Sequence, residues 1–324
     1  MSERPLSAVE APSVPRAAPL ENAGYLLGIG LAVLGVLCFS LRPVLVKLAY
    51  RYVTDPVTLL ALRMAFSAPL FLLVAAWPAT TKNTTPISPR DGLAILALGF
   101  VGYYLASFLD FLGLQYISAG LGRLVLFLYP TLVVLLSIAF LGKRVARREV
   151  VALIVSYAGL ALALAQTPEQ ASANLPLGTA LVFASAAAYA IYLVGGTQVL
   201  LRIGSLRFSA YATLVASAFC ILQFALLRPL SALDLPWQVY GISAVIGIVC
   251  TVLPIFMTSE ALRRIGASLV AMIGALGPLS AIFWGYLGLG EGISGLELAG
   301  GALVVTGVLL VTVKPKARAR GAAD

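Results

Sequence analysis

Ten apolar runs of about twenty residues, separated by polar or glycine- and proline-containing links, take up almost the whole chain. At a helical rise of 1.5 Å per residue, a run of that length matches the hydrocarbon thickness of a bilayer. The runs are Tyr25 to Leu48, Val57 to Trp77, Gly92 to Leu114, Ala119 to Leu141, Val145 to Ala165, Leu177 to Leu201, Leu206 to Leu227, Val239 to Ala261, Ala267 to Leu289 and Gly295 to Val313. They are continuously apolar and do not alternate, which excludes barrel strands and leaves the α-helix, which satisfies its own backbone in lipid. The composition agrees, with 60% hydrophobic and 11% charged residues where a soluble domain has about 25% charged. The expected fold class is an all-α polytopic membrane protein with ten transmembrane helices. No stretch is left for a soluble catalytic domain.

The chain carries 22 Lys and Arg against 13 Asp and Glu. In a soluble protein that excess would suggest nucleic acid; in a membrane chain it reports topology, and no nucleic-acid partner is expected. Positive residues crowd alternate links: Arg4 and Arg16, Lys82 and Arg90, then Lys143, Arg144, Arg147 and Arg148. Arg202, Arg207, Arg263, Arg264 and the tail from Lys314 to Arg320 fall on the same side. The other side has only Lys47, Arg51 and Arg228. Positive residues in short loops stay cytoplasmic, so both termini are expected there, with residues 1–24 a disordered tail and 314–324 a basic one. Basic loops and short tails fit a prokaryotic inner membrane.

Cys38, Cys220 and Cys250 lie inside apolar runs and the chain has no histidine. Disulfide frameworks, histidine-based hydrolases and zinc proteases, and histidine proton relays are thereby excluded, and neither a metal nor a cofactor is expected. No Gly-x-x-x-x-Gly-Lys-Ser/Thr loop is present, so this chain does not itself use ATP.

Ser118 to Leu136 aligns without a gap on Gly266 to Trp284. The same register pairs Gly99 with Gly247, Phe108 with Phe256, Leu114 with Leu262, Pro130 with Pro278, Gly142 with Gly290, Glu149 with Glu297 and Gly159 with Gly307. A nearly identical offset lays Gly28 on Gly178 and Phe39 on Tyr189. Matched glycines and prolines carry more weight here than matched leucines. The chain is therefore read as two five-helix repeats, 25–165 and 177–313. Five is odd, so the second repeat is expected inverted, and the basic loop from Lys143 to Arg148 indeed faces an uncharged-or-acidic counterpart from Glu291 to Gly295. Inverted repeats are a building plan of secondary transporters.

These features resemble the EamA-type branch of the drug/metabolite transporter superfamily. The resemblance covers Leu26 to Val313 and rests on Asp55-Pro56 before the second span, Arg63 within it, and the Ala- and Gly-rich entry and Pro130 of the fourth. Leu-Gly at Leu141 and Leu289, the following Glu291 and the glycine-rich fifth and tenth spans add to it. It implies a ten-helix carrier of small organic molecules, often an exporter, coupled to a proton or an exchanged solute. Lys143 departs from the acid that the family commonly has there, and Arg123 and Asp110 are less usual, so a substrate does not carry over.

Ionisable groups inside a span are costly and mark polar cavities or partners. Arg42, Arg63, Asp110 and Arg123 qualify, and helical rise places all four in the outer third of the membrane. Their repeat counterparts are Tyr192, Thr213, Thr258 and Ala271, so the charge belongs to one copy. Three arginines against one aspartate give a positive cavity for an anionic or zwitterionic substrate. The alternative is that Asp110 pairs with one arginine while Arg42 and Arg123 snorkel to the outer interface. Tyr103 and Ser107 share a helical face with Asp110, and Phe127 and Pro130 share one with Arg123. Tyr189, Tyr192, Ser280 and Trp284 are the candidates from the second copy. Asp110 is the candidate for proton coupling, Pro130 and Pro278 for gating hinges, and Glu260 for a helix-end salt bridge with Arg263 and Arg264. The partners expected are a small-molecule substrate, membrane lipid, and a proton or counter-solute; oligomeric state is left open. Besides a carrier, a membrane enzyme acting on a lipid-linked headgroup and a non-transporting scaffold remain open.

Overall fold

The structure, a computed structural model, describes residues 19–76, 87–141, 146–165 and 174–312. Lys82, Lys143, Arg144, residues 1–18 and the C-terminal basic tail lie outside the described residues. Helices α1 (Pro19–Ala49) and α2 (Pro56–Ala76) are followed by α3 (Pro89–Gly99) and α4 (Ala106–Gly113), which a π-helical segment, Phe100–Leu105, joins into one rod. Next come α5 (Ala119–Leu126), α6 (Tyr129–Leu141), α7 (Arg147–Leu164), α8 (Leu175–Ile203) and α9 (Ser205–Leu227). A short 3-10 turn, Leu230–Leu233, leads to α10 (Trp237–Gly247) and α11 (Leu253–Gly274), joined by a second π-helical segment, Ile248–Val252. The chain closes with α12 (Gly277–Leu289) and α13 (Gly295–Thr312). Among the described residues there is no strand.

Local chemistry sets the helix ends. Asp55 caps α2 by accepting from the amides of Val57 and Thr58. Ser88 and Asp91 form a reciprocal capping box on α3 with Pro89 in its first turn. Ser118 caps α5 by accepting from the Leu121 amide, and Gly290, at φ +69°, takes the left-handed position that ends α12. Eight helical segments among the described residues are long and apolar enough to cross a membrane. The expected fifth and tenth spans are helices too, but α7 opens on Arg147, Arg148 and Glu149, and the apolar part of α13 is the shorter stretch Gly295–Leu310.

The two copies share more than sequence. The π-helical segments fall on matching positions, as do the interruptions at Phe127–Leu128 and Ala275–Leu276 that separate α5 from α6 and α11 from α12. Each π-helical segment follows a glycine at a close helix crossing. A Cβ on Gly99 would sit 2.8 Å from the Ala212 carbonyl oxygen, and one on Gly247 would sit 2.8 Å from that of Arg63. Packing crosses between copies: α1 lies on α11 and α12, α8 on α4 and α6, α2 on α9 and α10, and α7 on α13. The α7–α13 seam is tight because Gly159 and Gly300 face each other's carbonyls, where either Cβ would come within 2.6 Å of an oxygen.

Candidate functional site

Arg42 lies two turns from the C-terminal end of α1 and Asp110 near that of α4, while Arg63 lies two turns into α2 and Arg123 in the last turn of the short helix α5. All four therefore come together at one end of the bundle. Arg42 Nη2 donates to Asp110 Oδ2 at 2.8 Å, and both residues are buried. Arg63, only 2% exposed, donates through Nε to Thr251 Oγ1 at 3.2 Å and lies over the Phe111 ring. Arg123 stacks on Phe39 at 4.3 Å, and Arg42 approaches the same ring at 4.8 Å. Two guanidinium groups thus lie within cation–π distance of one aromatic ring, whose electron-rich π system favours both.

Snorkelling is not what the structure has. Arg42 is 7% and Arg123 6% exposed, and both side chains stay inside the bundle because Asp110 and Phe39 hold them there. No carboxylate lies within ion-pair distance of Arg63 or Arg123 among the described residues. Arg42 Nε, Arg63 Nη1, Arg123 Nε and Ser40 Oγ are buried without a hydrogen-bond partner. Each such donor forgoes roughly 1–3 kcal/mol of hydrogen bonding. The cluster therefore holds three guanidinium groups against one carboxylate, and four of its polar atoms lack a partner.

An aromatic wall adjoins it. Tyr103, in the first π-helical segment, meets Tyr192 edge-on at 5.0 Å, and Tyr192 stacks with Tyr189 at 5.8 Å. Tyr189 meets Tyr129 at 5.1 Å, which meets Phe127 at 6.1 Å. Gly102 makes this possible, since the Tyr192 ring occupies the space where its side chain would be. Four of the aromatic candidates are thus linked in one chain through Tyr129. Ser107 is buried one turn from Asp110. Ser280 turns its hydroxyl to the carbonyl of Leu276, the residue just before its own helix, and Trp284 packs on Phe283 with its indole N–H unpaired. The approach of α12 to the cluster is made by Gly277, where a Cβ would sit 3.5 Å from Arg123 Nη2 and 3.6 Å from Ser40 Oγ. Pro130 and Pro278 each occupy the second position of a helix that starts after an interruption. Phe39, Ser40, Phe111, Tyr129 and Thr251 were not singled out from sequence; Phe39 and Ser40 lie within a turn of Arg42, which was the available signal.

The end of the bundle nearest the cluster is tied together. Glu291 accepts from the Ala119 amide at the start of α5, at 3.1 Å to Oε1, and Lys47 Nζ lies 3.8 Å from Glu291 Oε1. Lys47 also donates to the Ile117 carbonyl, and Tyr50 donates to that of Phe111. Arg228 grips Asp55 with two hydrogen bonds of 2.8 Å. Burial pushes the Asp55 carboxyl up, but hydrogen bonds from Arg228 and Thr58 outweigh it and hold it at about 2. At the opposite end Asp91 pairs with Arg202, and Glu260 pairs with Arg263 and Arg264 as expected.

Apolar helices long enough to cross a bilayer, enclosing charged groups that lipid would not tolerate, define a polytopic α-helical membrane protein. The chain belongs to the EamA-like transporter family, whose model matches it twice, at residues 26–165 and 176–313. This agrees with the resemblance to the drug/metabolite transporter superfamily. It is 30% identical over 277 residues to the uncharacterized transporter YcbK of Bacillus subtilis, across 83% of this chain and 87% of that protein. An uncharacterized transporter of Archaeoglobus fulgidus is 26% identical across 83% of this chain and 92% of its own length. A crystal structure described only as that of a protein has the same fold, with a TM-score of 0.59 at 18% identity over 90% of this chain and 96% of that one.

Proposed function

We propose that the protein is a secondary active transporter that exports a small anionic or zwitterionic organic metabolite by alternating access. Two inverted five-helix halves, 25–165 and 177–313, would give ten crossings with both termini in the cytoplasm of a cell bounded by an inner membrane. The matching π-helical segments, the matching interruptions before Pro130 and Pro278, and the crossed packing support two halves of one design. Pro130 and Pro278 serve as bending points between access states. The observation that carries the substrate class is the buried cluster of Arg42, Arg63 and Arg123 against the single Asp110. Asp110 is the proton-coupling group, because a proton on it would release Arg42. Tyr103, Ser107, Phe127, Tyr189 and Tyr192 are the wall against which the organic part packs, and Ser280 and Trp284 on α12 are the further second-copy candidates.

Thermal stability of the purified protein in detergent, measured against anionic, zwitterionic and cationic metabolites, tests the substrate class, because a ligand that binds the native state raises its melting temperature. A shift by anions or zwitterions that is lost in Arg63→Ala is the expected result; a shift by cations alone would overturn it. Reporters on chains truncated after Gly204 and after Asp234 test the topology. The first should be cytoplasmic and the second extracytoplasmic, and the reverse would overturn the cytoplasmic placement of the termini.

A further inference from the structure

Taking the arginine cluster as the solute site, as proposed above, we infer that its ligand is an organic dianion, a small molecule bearing two carboxylates or a phosphate monoester. The inference begins from charge. Arg42 is neutralised by Asp110 at 2.8 Å, which leaves Arg63 and Arg123 as two buried positive charges with no carboxylate at ion-pair distance among the described residues. Both are more than nine-tenths buried, so water does not compensate them.

Other described acids at this end of the bundle, Glu297 against Gly120 of α5 among them, come within ion-pair distance of neither Arg63 nor Arg123. Glu291 is held by the Ala119 amide and Lys47, and Asp55 by Arg228 and Thr58. The unsatisfied donors point to the same conclusion. Arg42 Nε, Arg63 Nη1 and Arg123 Nε each lack an acceptor, and a ligand rich in anionic oxygens supplies several at once.

Arg63 and Arg123 both lie within electrostatic range of Arg42 and Asp110, so the neutral pair sits in the field of two free cations. A monocarboxylate would leave one charge uncompensated. A zwitterion would leave both and bring an ammonium group into a field whose only carboxylate is already paired. A dianion alone brings the cluster to neutrality.

The test uses the full chain in detergent at fixed ionic strength, with binding read from thermal shifts of a matched set. Butyrate, succinate, 4-aminobutyrate and glycerol phosphate separate one anionic group from two, and carboxylate from phosphate. Succinate or glycerol phosphate should bind at least about tenfold more tightly than butyrate, the factor expected when one more charge-assisted hydrogen-bonding group finds a partner. Arg63→Gln and Arg123→Gln should each erase that preference and leave butyrate and succinate alike. Should those variants fail to fold, the native protein gives a second readout. A phosphate monoester takes on its second charge near pH 6, so its binding should strengthen as pH rises from about 5 to about 7, while that of succinate changes less. Equal binding of butyrate and succinate, or tightest binding of 4-aminobutyrate, would overturn the dianion while leaving the cluster as the solute site. No shift by any of the four would overturn both.

Discussion

Removing the charge of Asp110 tests how the cluster is held. Asp110→Asn keeps the size of the side chain and leaves Arg42 without its 2.8 Å counter-ion, in a site where Arg63 and Arg123 are also within electrostatic range. At an effective dielectric constant of 20 and about 4 Å between charge centres, the lost attraction is about 4 kcal/mol. Breaking a buried pair by deleting one partner is observed to cost about 3–5 kcal/mol, which agrees. Arg42→Met should cost less, because Asp110 then still has two guanidinium groups in its surroundings, and it lowers the net charge of the cluster where Asp110→Asn raises it. The double variant restores the original net charge and should be more stable than Asp110→Asn alone. Reversible unfolding in mixed micelles, analysed as a double-mutant cycle, reads these differences. An Asp110→Asn variant within about 1 kcal/mol of the native protein, an additive cycle, or Arg42→Met as the weaker of the two single variants would refute the reasoning.

Other positions give independent checks. Gly102→Ala puts a methyl group into the Tyr192 ring and should cost about 1–3 kcal/mol, whereas Gly241→Ala, which meets nothing within 4 Å, should be neutral or mildly stabilising; melting temperatures compare the two. Asp55 is held at about 2, below the ordinary value of 3.8, so its grip on Arg228 stabilises the fold fully above about pH 4 and is lost as pH falls through about 2. The stability gap between the native protein and Arg228→Gln should therefore close over that interval, and a gap independent of pH would count against the pair. Glu291→Gln weakens the cap on α5 and the pairing with Lys47; a loss of about 1–2 kcal/mol is expected, with faster hydrogen exchange at the Ala119 amide.

The helices were legible in the sequence because lipid demands long apolar runs, and most observed ends fall within a few residues of the runs; the link expected between Ala261 and Ala267 is instead a kink within α11 at Gly266, at φ +77°. The convergence of Arg42, Arg63, Asp110 and Arg123 was legible from helical rise alone, because each charge lies a short distance from a link on the same side. Which arginine pairs with Asp110 was not, since that depends on how α1 and α4 turn about their axes. The stack of Arg42 and Arg123 on Phe39 was hidden for the same reason. The π-helical segments have no local signature; their position follows from the close crossings of Gly99 with α9 and Gly247 with α2, between residues far apart in the chain. Matched prolines pointed to the interruptions, but the breaks precede Pro130 and Pro278 by two to three residues, because proline suits the first turn of the helix that follows.

The crossed packing has a consequence for how the chain is made. The principal neighbours of α1, α2 and α7 are α11, α9 and α13, all of which leave the ribosome later. Arg63 waits for Thr251, which lies in the second π-helical segment. At about 5–20 residues per second, the helices of the first copy wait on the order of ten seconds for these partners to emerge. Within the first copy Arg42 already has Asp110, and Arg123 and Arg63 have the Phe39 and Phe111 rings, but Arg63 lacks Thr251 throughout that interval. The charged cluster can thus largely assemble before the second copy exists, and the second copy completes it with the acceptor for Arg63.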